Sequence, residues 1–284
     1  MKSISKNRAI IIQVILILLS VISAIVVHAI LPAPVEVVQF DSIFVKAFGF
    51  PAVAVFYFLL IFSQCAIVVR YVGIRSNVTR LQIGFRFGIA FAIIYLVGMQ
   101  EVVVEGSPFT TWGLDFIKYQ LFMGLGDGMP AIFLCIFTVY FTLRDNEKIK
   151  VIHKLSIIKI IKAVIIIGIA IFAERIIGYE SGLISSNLST YPVQCYIWTG
   201  IFGIMFGYIY VLLRPLLEFE KKKYSITLRF IAIMGVNWII FNSFIGLISK
   251  GAMSQMILRS GLDVLVLFLA SMLVEKYILE VKEG

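Results

Sequence analysis

Between Ala9 and Ala29 the chain runs without a single Asp, Glu, Lys or Arg. A helix rises 1.5 Å per residue, so a stretch of about 20 apolar residues covers the roughly 30 Å of a bilayer's hydrocarbon core. Comparable stretches recur near Gly49–Val69, Ile83–Val104, Phe116–Thr142, Ser156–Phe172, Val193–Leu213, Ile226–Ile248 and Gly261–Leu279. The composition agrees: of 284 residues 61% are hydrophobic and 14% charged, whereas a soluble domain keeps about a quarter of its residues charged. The expected fold is an all-α bundle of about eight transmembrane helices, a polytopic integral membrane protein in which residues 1–284 form a single helical domain.

The basic residues set the orientation. With the N-terminus inside, twenty Lys and Arg fall on the cytoplasmic side, and only Lys46, Lys118, Arg175, Lys250 and Arg259 fall on the other. Tyr71, Tyr140, Tyr210 and Tyr277 mark the inner ends of the spans; Trp112, Tyr191, Tyr196 and Trp198 mark the outer ends. Both termini are therefore expected in the cytoplasm and the protein in the cell membrane as a multi-pass chain. In this setting the net charge of +9 reports topology and not nucleic-acid binding. The segments Arg144–Lys162 and Arg214–Lys223 make membrane lipids the expected partners, at about 1 kcal/mol per basic residue near an anionic leaflet.

Ionised side chains at membrane depth are costly, so each one is a candidate for function. Asp127 stands out, in Gly124-Leu125-Gly126-Asp127-Gly128-Met129-Pro130 near the middle of the fourth span. Pro130 lacks a backbone donor and clashes with the preceding turn, which predicts a kink or break around Gly126, Gly128 and Pro130. Broken helices beside a buried carboxylate recur at the midplane sites of secondary transporters. The alternative is a packing kink in which Asp127 caps the half-helix that follows.

Glu101 and Glu105 close the third span at a spacing of i,i+4, which on a helix puts both carboxylates on one face. They can bind a cation, share a proton or reach water. Gln64 in the second span, and Asn237 and Asn242 in the seventh, offer either a polar lining or hydrogen bonds between helices. Glu174 and Arg175, adjacent at the outer end of the fifth span, read as interfacial solvation or as the rim of an outward cavity, and Asp263 reads similarly. Gly84 with Gly88, and Gly203 with Gly207 extended by Gly200, mark close helix contacts. Arg86 is expected to snorkel to the inner interface.

Several chemistries lack their residues. Cys65, Cys135 and Cys195 are dispersed, and His28 and His153 are the only histidines, too few for a multi-histidine zinc site or paired haem ligands. No metal or cofactor is expected, since no nucleotide-binding glycine motif or aspartate-rich diphosphate motif occurs. Of the intramembrane proteases only an aspartyl pair, Asp127 with Asp263, is even partly available. The function expected is a small secondary transporter or permease for a cationic or proton-coupled solute. Asp127 supplies the central charge, Glu101 and Glu105 the outer sites, and Asn237, Asn242 and Gln64 the lining, in an acidic cavity open to the outside. The alternatives are an intramembrane enzyme acting on a lipid or lipid-linked substrate at the outer leaflet, and a non-catalytic subunit or sensor for a membrane partner.

Overall fold

The computed structural model describes residues 2–31, 40–104, 114–144, 155–219 and 225–279. The helices are α1 (Lys6–Ile30), α2 (Ile43–Phe48), α3 (Phe50–Arg75), α4 (Arg80–Met99), α5 (Leu114–Thr142), α6 (Ile157–Glu180), α7 (Pro192–Leu217), α8 (Ser225–Phe230), α9 (Val236–Ile248) and α10 (Met253–Val274). Local signals place several starts. Ser42, Thr79 and Ser156 accept hydrogen bonds from the backbone amides of Val45, Gln82 and Lys159, and Pro51 and Pro192 occupy first turns, where no amide partner is needed. Among the described residues the only extended pairing is Lys2–Ser3 against Leu143–Arg144, a two-residue ladder.

Seven helical stretches are long and apolar enough to cross a membrane, which makes this a multi-pass, all-helical membrane protein. The remaining long helix, α6, has 24 residues but carries Lys159, Lys162, Glu174, Arg175 and Glu180. It also continues eight residues past the expected end at Phe172, because the Glu174-Arg175 pair is folded into the bundle. The third span is shorter than expected. Its α-helix stops at Met99, and Gln100–Val103 forms a 3₁₀ turn. Outward faces are apolar, with Ile11, Ile22, Ile169 and Ile204 each more than half exposed, a surface suited to lipid and not to water.

Eight of the ten helices form two groups of four. In the first, α1 packs on α3 and α5, and α4 on α5; in the second, α6 packs on α7 and α10, and α9 on α10. The groups meet mainly through α3 against α9 and α4 against α7. Polar ties cross this seam at several depths: Arg86 Nη1 donates to the Leu212 carbonyl (2.8 Å), Asn237 Nδ2 to Gln64 Oε1 (2.9 Å) and Trp198 Nε1 to the Val97 carbonyl (3.1 Å). Arg86 thus reaches across to a neighbouring helix and is not merely a snorkelling side chain.

The break expected at Pro130 is absent, and α5 runs unbroken through Gly126, Gly128 and Pro130. Its glycines serve closeness instead. A Cβ on Gly124 would come within 2.8 Å of Leu96 Cα, one on Gly128 within 3.2 Å of Ala92 Cα, and one on Gly126 within 2.6 Å of Val27 Cγ1, so α5 is pressed between α4 and α1. Gly84 and Gly88 return the contact from α4, against Ile136 and Ile132. Gly203 and Gly207 meet the backbone of Gly168 and Val164 in α6, as their spacing suggests, whereas Gly200 faces open space. Helix geometry widens to π turns at Ile231–Gly235 and Glu275–Leu279.

Candidate functional site

A cluster of buried charge holds the ends of α4, α6, α9 and α10 together. At its centre is Arg175 of α6, with no exposed surface. Its Nε and Nη2 donate to Oδ1 and Oδ2 of Asp263, each at 2.6 Å, and Nη1 donates to Glu101 Oε1 at 2.7 Å and to the Tyr179 hydroxyl at 3.3 Å. This uses the planar fork that distinguishes arginine from lysine. The ring of Phe202 lies 4.9 Å from the guanidinium carbon, adding a cation–π contact. Asp263 also accepts from Trp238 Nε1 at 2.7 Å. Arg259, one turn earlier on α10, reaches Glu101 Oε1 through Nε at 3.2 Å and donates from Nη2 to Asn242 Oδ1 at 2.7 Å. Glu174 completes the group, its carboxyl against that of Asp263 and 4.0 Å from Arg175 Nε.

A second site lies between α1 and α5. Asp127 is 3% exposed, and its Oδ1 is 2.8 Å from His28 Nε2, while Oδ2 is buried without a hydrogen-bond partner. The His28 ring stands edge-on to Phe58 at 5.2 Å. Below it a groove of about 640 Å³ opens between the same two helices, lined by Leu16, Ser20, Val27, Phe122, Pro130 and Phe137 among others. The groove offers few hydrogen bonds, because Ser20 and Ser23 donate to the carbonyls of Leu16 and Leu19 in their own helix.

The third site is on the seam. Asn237 of α9 donates to Gln64 Oε1 and to the Tyr95 hydroxyl (3.1 Å), which is in turn 3.1 Å from Cys65 Sγ. Gln64 Nε2 donates to the Ile233 carbonyl inside the π turn (2.9 Å), and Asn237 Oδ1 is left buried and unpartnered. Single π turns inside α-helices are frequent at functional sites.

The residues singled out from the sequence therefore divide among three places. Asp127 pairs with His28, Gln64 with Asn237, and Glu101 and Asn242 belong to the arginine cluster. Glu105 lies outside the described residues, and Glu101 stands in a 3₁₀ turn. Asp127 and Asp263 have separate partners on separate helices and do not face each other as an aspartyl pair. Glu101 meets two guanidinium groups and is not a bare acidic lining. Sequence reading passed over His28, Trp238 and Tyr179, and placed Arg175 and Arg259 only as outer charges. The signal for the two arginines was an acid close by in the chain, Glu174 beside Arg175 and Asp263 one turn after Arg259. Among the described residues no three His, Cys, Asp or Glu side chains converge to hold a metal ion.

No known protein family matches the chain, and no curated protein or solved structure is significantly similar to it.

Proposed function

We propose that the protein is a small secondary transporter or permease of the cell membrane for a cationic or proton-coupled solute, with eight spans and both termini cytoplasmic. In this reading α6 is the eighth span, since Arg175 enters the membrane neutralised by carboxylates and Lys159 and Lys162 lie in its first two turns, within reach of the interface. The observation that carries the proposal is the polar cluster of Gln64, Tyr95 and Asn237 on the seam between two groups of four helices. Transporters of this general build bind solute near mid-depth where two helical halves meet, and move by rocking one half against the other. Asn237 Oδ1 offers an acceptor there to a donor-bearing solute. Asp127, bonded to His28 on one oxygen only, supplies the intramembrane carboxylate that can gain or lose a proton during the cycle.

Flux into proteoliposomes tests this. A panel of cationic solutes and a proton-sensitive dye should reveal uptake that Asp127→Asn and Asn237→Ala each reduce at least tenfold. Unchanged flux of every transported solute in both variants would sink the reading. The groove between α1 and α5 favours a second reading, an enzyme that draws a lipid chain alongside His28 and Asp127. That reading predicts lipid turnover without solute flux.

A further inference from the structure

Among the described residues the charges of the arginine cluster do not balance. The ionisable groups that meet there are Glu101 beyond α4, Glu174, Arg175 and Tyr179 on α6, and Arg259 and Asp263 on α10; α9 contributes only Trp238 and Asn242, and α7 the rings of Trp198 and Phe202. Two guanidinium groups, which stay charged under any ordinary condition, face three carboxyl groups. One full negative charge left over in a buried site is strongly unfavourable.

The hydrogen bonds fall short at the same place. Arg175 has committed Nε and Nη2 to Asp263 and Nη1 to Glu101 and Tyr179. Asp263 already receives three donors, two from Arg175 and one from Trp238. Glu174 receives none: both of its carboxyl oxygens are buried and lack a donor, although the side chain is only 11% exposed and lies against the Asp263 carboxyl. Two ionised carboxylates in contact repel, and neither can donate to the other.

We propose that Glu174 and Asp263 bind one proton between them, carried on the Glu174 carboxyl and donated to an Asp263 oxygen. That proton removes the surplus charge and supplies the absent donor in one step. It comes from bulk water and returns there, leaving the Glu174 carboxylate and a cluster with one net negative charge. On loss of the proton, Glu174, already 4.0 Å from Arg175 Nε, competes with Asp263 for the guanidinium, and the tie between α6 and α10 loosens. The assignment does not rest on the transport reading, because a protein that moved no solute would hold the same proton.

Infrared difference spectroscopy on the purified full chain in lipid nanodiscs tests the proposal, together with tryptophan emission, since Trp238 reports on Asp263 directly. Wild type should show the carbonyl band of a protonated carboxylic acid that disappears as the pH is raised, with a matching change in emission. Glu174→Gln, whose amide supplies the donor permanently, should fold, lose that band and show pH-independent emission. Asp127→Asn should keep both signals. Retention of the band and the emission change in Glu174→Gln overturns the proposal, as does their loss in Asp127→Asn. Failure of solute flux with the expected signals intact overturns the transport reading alone.

Discussion

Arg175 and Asp263 are joined by two parallel hydrogen bonds of 2.6 Å, Nε to Oδ1 and Nη2 to Oδ2, and neither residue is more than 1% exposed. Such a pair is worth little against an apolar pair of the same shape, but breaking it from one side leaves a bare buried charge. Arg175→Gln should therefore destabilise by about 3–5 kcal/mol, because it strands both Asp263 and one bond to Glu101. Arg175→Lys should recover only part of this, since a single ammonium cannot span both oxygens. Denaturant titration of the detergent-solubilised protein measures both, and a Lys variant as stable as wild type would refute the fork as the source.

At the other end of α10, Glu275 accepts from Arg214 Nε at 2.9 Å and Nη2 at 2.5 Å, and from the Tyr210 hydroxyl at 2.9 Å. This cluster is wetter, the Glu275 side chain being 16% exposed. Tyr210→Phe should cost about 1 kcal/mol and Glu275→Gln about 1.5–3 kcal/mol, both less than Arg175→Gln. Melting curves of the three variants give the order directly; a different ranking counts against the greater dryness of the arginine cluster.

His28→Ala strips Asp127 of the partner on its remaining bonded oxygen and should lower stability by about 1–3 kcal/mol. If the loss arises from the stranded carboxylate and not from the missing ring, adding Asp127→Leu should restore most of it. A double variant as unstable as the sum of the two single changes would show that packing of His28 against Phe58 dominates instead.

Glycine spacing makes a sharper prediction. Gly88→Ala drives a methyl to 2.9 Å from Ile132 Cα and should cost about 1–3 kcal/mol through overpacking. Gly200→Ala meets nothing within 4 Å and should be neutral or slightly stabilising, as alanine is the better helix former. Thermal midpoints of the two variants side by side are sufficient.

What could be read from sequence was what is local. Each apolar run carries its own length and its own lack of charge, so seven membrane-length helices followed; α6 runs on past Phe172 because Asp263 takes up Arg175, which by itself looks like the end of a helix. Asp127 was visible as a buried acid, but the meaning of its glycines was not: Gly126 and Gly128 suggest a break in α5, whereas they are sites of approach to α1 and α4. His28 looked inert because its partner lies 99 residues away. Pairing across helices depends on which helices are neighbours, and no residue of α1 or α6 encodes that alone.

The contacts at the seam repeat on exchange. The second helix of the first group, α3, meets the third of the second group, α9; the third of the first, α4, meets the second of the second, α7. Swapping the groups leaves that order of contacts unchanged. The correspondence reaches the charges: the first long helix of each half offers a base, His28 or Arg175, to an acid on the last, Asp127 or Asp263. The two bonds are counterparts in place and unlike in chemistry. A guanidinium spans both oxygens of its acid and an imidazole reaches only one, so the tie is two-pronged in one half and single in the other.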